Sequence, residues 1–286
     1  MYINVQDAYK IIAFSEFGRE ELLKWFPPSK IHYIPHGMDT KQFRPHTEQE
    51  NAETRKQLNI PSNAFVLFTV GANVGERKQM PFMMLVFKEL LKKYDDIYWY
   101  LFTNMSVPYP SGYDLRNYAY MLGISDHLRY PQVDPIIKPF TNEHMSRLLS
   151  MADAYWSLTL GEGFGLPTLE GMACGVPPII TDCSTSPELV GDHGWLVAQN
   201  DDYRFVPVWI PTLQDYPVAS KRSAIECIED AYHNRDKTKK FGRASREFSL
   251  KYDWDRIMPL WYKFLRELEE ELEFNQEFKK VDVPKK

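Results

Sequence analysis

The residues best suited to chemistry lie in one glycine-rich segment, Gly161 to Glu170. The glycines predict a turn, and Pro167 marks the first turn of the helix that follows. The N–H groups that begin a helix have no partner within it and attract anions, which suits a diphosphate. Glu162 in the turn and Glu170 inside the helix only accept hydrogen bonds when ionised, so each suits a pair of sugar hydroxyls. This combination is what a nucleotide sugar would need.

The same residues have a simpler interpretation. Glu162 could be an exposed residue of a surface turn, and Glu170 could lie near a helix N-terminus because the helix dipole favours an acid there. The glycines at positions 161, 163 and 165 also resemble a dinucleotide-binding fingerprint, but the spacing of the third glycine differs from it. Residue types alone therefore leave both an anion site and a plain surface turn open.

A second segment supplies the positive charge that an anion site needs. Arg77 and Lys78 end the loop that follows the apolar run Phe65–Val70. Arginine offers a planar fork of donors and lysine a compact charge, and together they can hold two phosphates. Fixed cations of this kind stabilise the charge that grows on a departing nucleoside diphosphate. The alternative is that both are solvated surface charges.

Short apolar runs alternate along the chain with helical patterns. This alternation predicts an α/β fold with a parallel sheet covered by helices on both faces. Ligands of such sheets bind in loops beyond the carboxyl ends of the strands, here 71–79, 130–140, 159–166 and 181–187. The predicted strands are 10–14, 31–34, 65–70, 97–102, 128–130, 154–158 and 178–181, and the predicted helices are 16–26, 81–94, 113–122, 142–151 and 166–174. Beyond a short run at 194–197 the chain is expected to be helical, apart from an irregular excursion at 201–217.

Composition excludes several classes of protein. The chain has 286 residues, 44% hydrophobic and 26% charged, as in an ordinary globular protein. A formal net charge of −5 gives no basic field for nucleic acid. The apolar runs are shorter than the roughly 20 residues of a membrane span, and the first residues lack the layout of a secretory signal. Cys174, Cys183 and Cys227 are too scattered for a disulfide framework or a zinc site, so we expect reduced thiols in a cytoplasmic protein.

Taken in order, these segments resemble the retaining GT-B glycosyltransferases of family 4. Glu162 and Glu170 have the spacing of the E-x7-E signature of that family. The resemblance implies a Rossmann-like parallel sheet with helices on both faces, the donor-binding half of the fold, preceded by a short strand–helix remnant and ending in a long helix. It spans roughly residues 10 to 265 and continues through 171–177, Thr181-Asp182, Glu188 and 194–197, and upstream through 34–39, Phe43 and Pro45.

The resemblance also implies a role for individual residues. Glu162 corresponds to the contact with the transferred hexose, and Glu170 to the contact with the ribose hydroxyls. Lys78 matches the family lysine, whereas Ala72 stands where many relatives have arginine, so Arg77 is expected to supply the guanidinium. The implied catalytic residues are Glu162, Arg77 and Lys78; the implied donor-binding residues are these three with Gly71, Asn73, Gly163, Phe164, Gly165, Leu166 and Glu170; no metal ligand is implied.

Three other features of the sequence suggest chemistry but are interpreted structurally. Asp253 and Asp255 form the D-x-D motif that binds metal in the other major glycosyltransferase fold, yet they precede a helical run, where Asp is an ordinary N-cap. His36 could act as an acid–base, although a histidine beside a turn glycine is more often structural. Aromatic residues from Trp254 onward predict the apolar face of a terminal helix rather than a lipid anchor.

The resemblance divides the chain into three parts. They are the N-terminal remnant with the interdomain element, 1–44, the nucleotide-sugar-binding domain, 45–253, and the C-terminal helix and tail, 254–286. A complete GT-B enzyme binds its acceptor with an N-terminal domain of on the order of 150 residues, and only one strand and helix precede the interdomain element here. The family's N-terminal catalytic histidine has no counterpart that can be placed.

The resulting hypothesis is a retaining, metal-independent glycosyltransferase that moves a hexose from a UDP- or GDP-sugar to a saccharide, lipid or protein. The nucleotide sugar is its substrate, and no separate cofactor is expected. The main alternative is a non-catalytic or split-enzyme binding module that takes its acceptor site from a partner chain or a second copy, and a third is an epimerase of the same fold. Peripheral attachment to a membrane stays open.

Overall fold

The computed structural model describes residues 5–73, 75–106, 112–135, 137–205 and 216–281, without the side chains of 201–205 and 275–281. Strands and helices alternate through most of this part of the chain. The strands are β1 (Ile11–Ala13), β2 (Ile31–Tyr33), β3 (Phe65–Val70), β4 (Ile97–Phe102), β5 (Leu128–Arg129), β6 (Ala154–Ser157), β7 (Pro178–Thr181), β8 (Trp195–Val197), β9 (Gln199–Phe205) and β10 (Tyr216–Ala219). The helices are α1 (Glu16–Leu23), α2 (Glu48–Gln57), α3 (Met80–Leu91), α4 (Leu115–Leu122), α5 (Asn142–Ser150), α6 (Leu166–Ala173), α7 (Ser186–Val190), α8 (Lys221–His233), α9 (Arg235–Ser249) and α10 (Trp254–Val281).

The central sheet has six parallel strands in the order β5-β4-β3-β6-β7-β8. The chain runs outward from β3 to β5 and then returns to the other side of β3 to form β6. The order of strands therefore reverses between β3 and β6. Loops that leave neighbouring strands at such a point diverge to opposite faces of the sheet and open a crevice, where ligands of this fold class bind.

Both faces of the sheet are buried, as the continuous apolar character of β3 predicts. Phe65 and Leu67 contribute to the hydrophobic cluster on one face, and Val66 and Phe68 to the cluster on the other, all with no exposed surface. Burying a side chain of this size stabilises the fold by roughly 1.5–3 kcal/mol. The predicted α/β fold with helices on both faces is confirmed, and the burial of β3 holds the loop after it on a rigid base.

The N-terminal strands form a separate small sheet. β1 and β2 pair in parallel, and α1 connects them. Their apolar cluster contains Ile11, Ala13 and Ile31 and is separate from the two clusters of the central sheet. Helix α10 packs across this unit, where the ring of Phe264 lies 4.7 Å from that of His32.

The structure differs from the sequence predictions mainly after β8. Residues 199–205 and 216–219 form the antiparallel pair β9–β10, so the expected irregular excursion and the expected continuous helix are both wrong at these positions. The polar sequence of β9 shows no alternation of apolar residues. β9 and β10 form a two-stranded sheet of their own and do not join the central sheet. The remainder of the expected excursion, 206–215, lies outside the described residues. The other predicted boundaries differ from the observed ones by three residues or fewer.

Candidate functional site

Two loops meet at the point where the strand order reverses. One follows β3 and carries Arg77 and Lys78, and the other follows β6 and forms the glycine-rich bend, residues 158–165. The backbone oxygen of Arg77 accepts hydrogen bonds from Leu160 N, at 2.9 Å, and from the Thr159 hydroxyl, at 3.3 Å. These bonds fix the basic loop against the bend through the backbone, so the positions of the two cations do not depend on their side-chain contacts alone.

The carboxylate of Glu162 joins the two cations. Lys78 Nζ lies 2.6 Å from Glu162 Oε1, and Arg77 Nη1 lies 2.8 Å from Oε2 and 3.0 Å from the oxygen of Gly161. The side chains of Lys78 and Glu162 are 11% and 15% exposed, whereas that of Arg77 is 52% exposed. The expected proximity of the cations to the bend is therefore observed, and the lysine is the more deeply buried of the two.

The electrostatic environment keeps Glu162 ionised. Burial acts to raise the pKa of this carboxyl group, because it penalises the charged form. The charges and hydrogen bonds of Lys78 and Arg77 outweigh burial, and the pKa of Glu162 lies below its ordinary value. A buried carboxylate with two cations is tolerable because the ion pairs replace the water that it has lost.

The bend has the conformation that a helix N-terminal anion site needs. Gly165 precedes α6 with φ +98°, and a Cβ there would lie 2.9 Å from Leu189 Cδ1. Within the described part of the chain, the N–H groups of Gly163, Gly165 and Leu166 donate to no protein acceptor. Unpaired N–H groups at the positive end of a helix dipole attract phosphate.

Side chains from the β7–α7 loop hold the bend in place. Ser184 Oγ accepts a hydrogen bond of 2.9 Å from Glu162 N, and Thr185 Oγ1 donates one of 3.0 Å to the oxygen of Phe164. Ser184 has φ +47°, a left-handed conformation that is unfavourable for a residue with a side chain. Neither residue was expected from the sequence to hold the bend. A serine and a threonine after a strand are too common to indicate such a role without the structure.

A cavity of about 420 Å³ extends from the ion pairs along the carboxyl end of the sheet. Glu162, Arg77 and Lys78 line one end, and Asn104 and Pro135 line the other. Of the other residues expected to bind the donor, Gly71 and Asn73 line this cavity, whereas Gly163, Phe164, Gly165, Leu166 and Glu170 are not among its lining side chains. The cavity joins the basic loop to the loop that follows β4, so an elongated ligand could span both.

Gly71 and Asn73 have structural explanations that the sequence did not reveal. A Cβ at Gly71 would lie 2.8 Å from Met80 Cε and 3.3 Å from the side chain of Lys78, so the glycine leaves room for that lysine. The amide of Asn73 donates to the backbone oxygens of Asn104 and Tyr113, at 3.0 and 2.7 Å. Asn73 therefore connects the basic loop to the segments around β4 and α4, and the residue is only 3% exposed.

Glu170 has surroundings unlike those of Glu162. It lies on α6, and burial raises its pKa to about 7. Burial is the one cause of this shift, and no hydrogen bond or cation among the described residues offsets it. Burial raises the pKa of Tyr155, and the charges of Glu162 and Glu170 raise it further. A half-buried acid such as Glu170, without a partner in the described part of the chain, is able to accept hydrogen bonds from a ligand.

The remaining candidate residues have structural roles. Asp253 precedes α10, accepts a hydrogen bond of 2.8 Å from the N–H of Asp255 and is bonded to the Thr40 hydroxyl, as an N-cap residue would be. Asp255 pairs with Lys41 at 2.8 Å. The ring of His36 is stacked on Phe14, with centroids 4.0 Å apart. Cys174, Cys183 and Cys227 are free thiols.

Comparison with known proteins identifies the family. The profile of the glycosyl transferases group 1 matches residues 50–207, and the chain belongs to that family. The D-inositol 3-phosphate glycosyltransferase of Actinosynnema mirum is 27% identical over 198 residues, which cover 68% of this chain and 46% of that protein. O-antigen chain mannosyltransferase B of Escherichia coli is 36% identical over 96 residues, which cover 32% of this chain and 25% of that protein. The chain spans about half the length of the curated relatives it matches.

Solved structures show the same fold. The sucrose-phosphate synthase of Thermosynechococcus elongatus superposes with a TM-score of 0.73 at 21% identity, over 92% of this chain and 59% of that one. HepE of Anabaena, solved with UDP-glucose, superposes with a TM-score of 0.71 at 16% identity, over 91% of this chain and 64% of that one. The fold is that of the GT-B glycosyltransferases. No helix in the described ranges is both long enough and apolar enough to span a bilayer.

Proposed function

We propose that this chain binds the nucleotide-sugar donor of a retaining, metal-independent glycosyltransferase that transfers a hexose. The observation that carries the proposal is the pair of cations, Arg77 and Lys78, held beside a helix N-terminus at the reversal of strand order. Two fixed positive charges next to unpaired N–H groups form a socket for a diphosphate. UDP-glucose in the HepE structure supports a nucleotide sugar as the ligand class.

Each residue of the site has a proposed role. Arg77 and Lys78 hold the diphosphate, with Gly71 and Asn73 keeping their loop in position. The backbone of Gly163 to Leu166 lines the diphosphate and the sugar. Glu162 accepts hydrogen bonds from the hexose, and Glu170 accepts them from the ribose hydroxyls. The base lies toward Asn104, at the opposite end of the cavity.

The proposed domain boundaries are those that the family resemblance implies. Residues 1–44 contain the small separate sheet, 45–253 the donor-binding domain with its six-stranded sheet, and 254–286 the C-terminal helix and tail. A saccharide, lipid or protein acceptor would bind beside the bend. A longer form of the chain, a partner chain or a second copy would supply the rest of the acceptor site.

The proposed reaction is a front-face transfer. The bond between the anomeric carbon and the phosphate oxygen breaks, and the acceptor oxygen bonds to the anomeric carbon from the same face. The acceptor proton passes to the departing phosphate oxygen. Arg77 and Lys78 stabilise the charge that accumulates on the leaving diphosphate, which is the task a metal ion would otherwise perform.

Thermal unfolding with a panel of UDP-, GDP- and ADP-sugars tests donor binding. A ligand that binds only the folded chain raises the melting temperature, so one nucleotide class should do so in a concentration-dependent way. Product analysis with the bound sugar and a set of acceptors then tests transfer and retention of the α-linkage, with EDTA present to test metal independence. Binding without turnover would favour the binding-module alternative, and no shift with any nucleotide would contradict the proposal.

A further inference from the structure

We propose that Glu162 is an internal counter-anion, which holds the two cations of the site until a diphosphate replaces it. This inference rests on the proposed donor site and adds a regulatory step to it. Both carboxylate oxygens are engaged, Oε1 with Lys78 at 2.6 Å and Oε2 with Arg77 at 2.8 Å. The atoms that would grip the phosphates are thus already occupied by an anion that belongs to the protein.

The two cations can bind either the carboxylate of Glu162 or a diphosphate, but not both at once. Two cations and one carboxylate leave a single net positive charge, whereas a nucleoside diphosphate carries more negative charge than that. A phosphate placed against Lys78 would lie close to the carboxylate of Glu162 in a region that is largely shielded from water. Like charges at such distances repel strongly when solvent cannot screen them. Binding therefore exchanges Glu162 for the diphosphate.

The hexose gives the displaced carboxylate a new partner. When a nucleotide sugar binds, Glu162 can accept hydrogen bonds from sugar hydroxyls in place of the cations. A nucleoside diphosphate without sugar offers no such hydroxyls, and Glu162 is then buried without compensation. After transfer, the carboxylate regains the cations and favours release of the product. Glu162 thus distinguishes the donor from the spent nucleotide.

The basic loop keeps its position without Glu162. The oxygen of Arg77 is held by Leu160 N and Thr159 Oγ1, and the Lys78 side chain passes through the space that Gly71 leaves. Replacing Glu162 by glutamine, which has nearly the same shape, removes the charge and leaves these contacts intact. The substitution therefore frees the cations for phosphate and retains the site.

Calorimetric titration of UDP, GDP and inorganic pyrophosphate into the full chain tests the inference. Glu162→Gln should bind the preferred nucleoside diphosphate roughly tenfold more tightly than the unmodified chain, a change of about 1.4 kcal/mol, and should not gain affinity for the nucleotide sugar. Glu162→Asp keeps the charge on a shorter side chain, and its affinity for the nucleoside diphosphate should lie between those of Glu162→Gln and the unmodified chain. Glu143→Gln, an equal change of charge on the exposed face of α5, should have no effect.

The outcomes separate this inference from the donor site itself. Nucleoside diphosphate affinity that is equal or weaker in Glu162→Gln, with measurable binding in the unmodified chain, overturns the counter-anion role and leaves the donor site standing. Thermal unfolding of each variant establishes that it is folded. If neither form binds any nucleotide or pyrophosphate, the donor site and the counter-anion role are both wrong.

Discussion

The two glutamates of the E-x7-E pattern lie eight positions apart and have opposite electrostatic surroundings. Glu162, in the bend, has two cations within hydrogen-bonding distance and a lowered pKa. Glu170, within α6, has no ion pair among the described residues, and burial raises its pKa to about 7. Both side chains are largely shielded from solvent, so burial alone does not separate them. The difference comes from the cations of the neighbouring loop, which contact Glu162.

The two glutamates of this one sequence pattern are therefore suited to different roles in ligand binding. A carboxylate that is already paired can be exchanged for another anion at modest cost only when the ligand also supplies donors to the displaced carboxylate, because the cations then remain satisfied and the carboxylate is not left unpaired. A carboxylate that is buried without a partner becomes fully favourable only when a ligand supplies donors. We therefore expect the bend to govern how tightly phosphate binds, and the position of Glu170 to govern how binding depends on pH.

The largest effect is expected at the buried cation. Lys78→Ala removes the charge that is most shielded from solvent and leaves Glu162 with the half-exposed Arg77 alone. A hydrogen bond to a charged group contributes roughly 1.5–3 kcal/mol, so donor affinity should fall by about 10- to 100-fold. Titration calorimetry with the preferred nucleotide sugar measures the change.

Lys92→Ala is the matched control for that substitution. Lys92 follows α3, is 61% exposed and pairs only locally with Glu89 at 2.7 Å. Its loss removes the same charge without touching the site. Equal affinities of Lys78→Ala and the unmodified chain would show that the diphosphate does not lie between the two loops.

The affinity for the donor should depend on pH because of Glu170. If only the ionised carboxylate accepts both ribose hydroxyls, a pKa near 7 makes donor affinity roughly tenfold higher at pH 8 than at pH 6. Glu170→Gln should bind more weakly at pH 8 and should lose the part of the pH dependence that this residue causes. Titrations of both proteins at the two pH values check this, since the nucleotide's own titration is common to both.

The stability of the unliganded protein should respond in the opposite sense. The pKa of Glu170 in the folded chain, about 7, lies above its ordinary value, so the folded state binds more protons in this window. Stability from this group is therefore complete at pH 4 and is lost as the pH rises through 7. The melting temperature of Glu170→Gln minus that of the unmodified chain should therefore increase from pH 5 to pH 8. A constant difference over this range would contradict the raised pKa.

The sequence predicted the central sheet and the bend more accurately than the residues that hold them together. Strands β3, β4 and β7 were predicted with their observed bounds, because apolar runs of that length between turn residues have few alternatives. The proximity of Lys78 to Glu162 was expected from the family resemblance, and the observed reversal of strand order between β3 and β6 explains it. Ser184 and Asn73 could not be assigned such roles, because their hydrogen bonds join residues that are distant in sequence. The β9–β10 pair was missed because the polar sequence of β9 has no alternation of apolar residues.

A smaller effect on donor affinity is expected when Arg77, the more exposed of the two cations, is replaced. Arg77 is 52% exposed and shares Glu162 with Lys78, so water and the lysine compensate for much of its loss. Ion pairs with this exposure contribute up to about 1 kcal/mol, and Arg77→Ala should weaken donor binding by roughly fivefold. Arg222→Ala, at an 88% exposed position, is the control. A loss of affinity as large as that of Lys78→Ala would contradict the greater contribution of the buried lysine.

The smallest effect is expected at Ser184, where strain and hydrogen bonding oppose each other. Ser184→Ala keeps the left-handed backbone at φ +47° and loses the bond to Glu162 N, so it should lower stability by about 1 kcal/mol. Ser184→Gly loses the same bond but relieves strain of about 1 kcal/mol, and its stability should be close to that of the unmodified chain. Both variants should weaken donor binding by roughly twofold, because both free the bend. Urea unfolding with titration calorimetry separates the two contributions, and normal affinity in both variants would mean that the bend holds its shape without this hydroxyl.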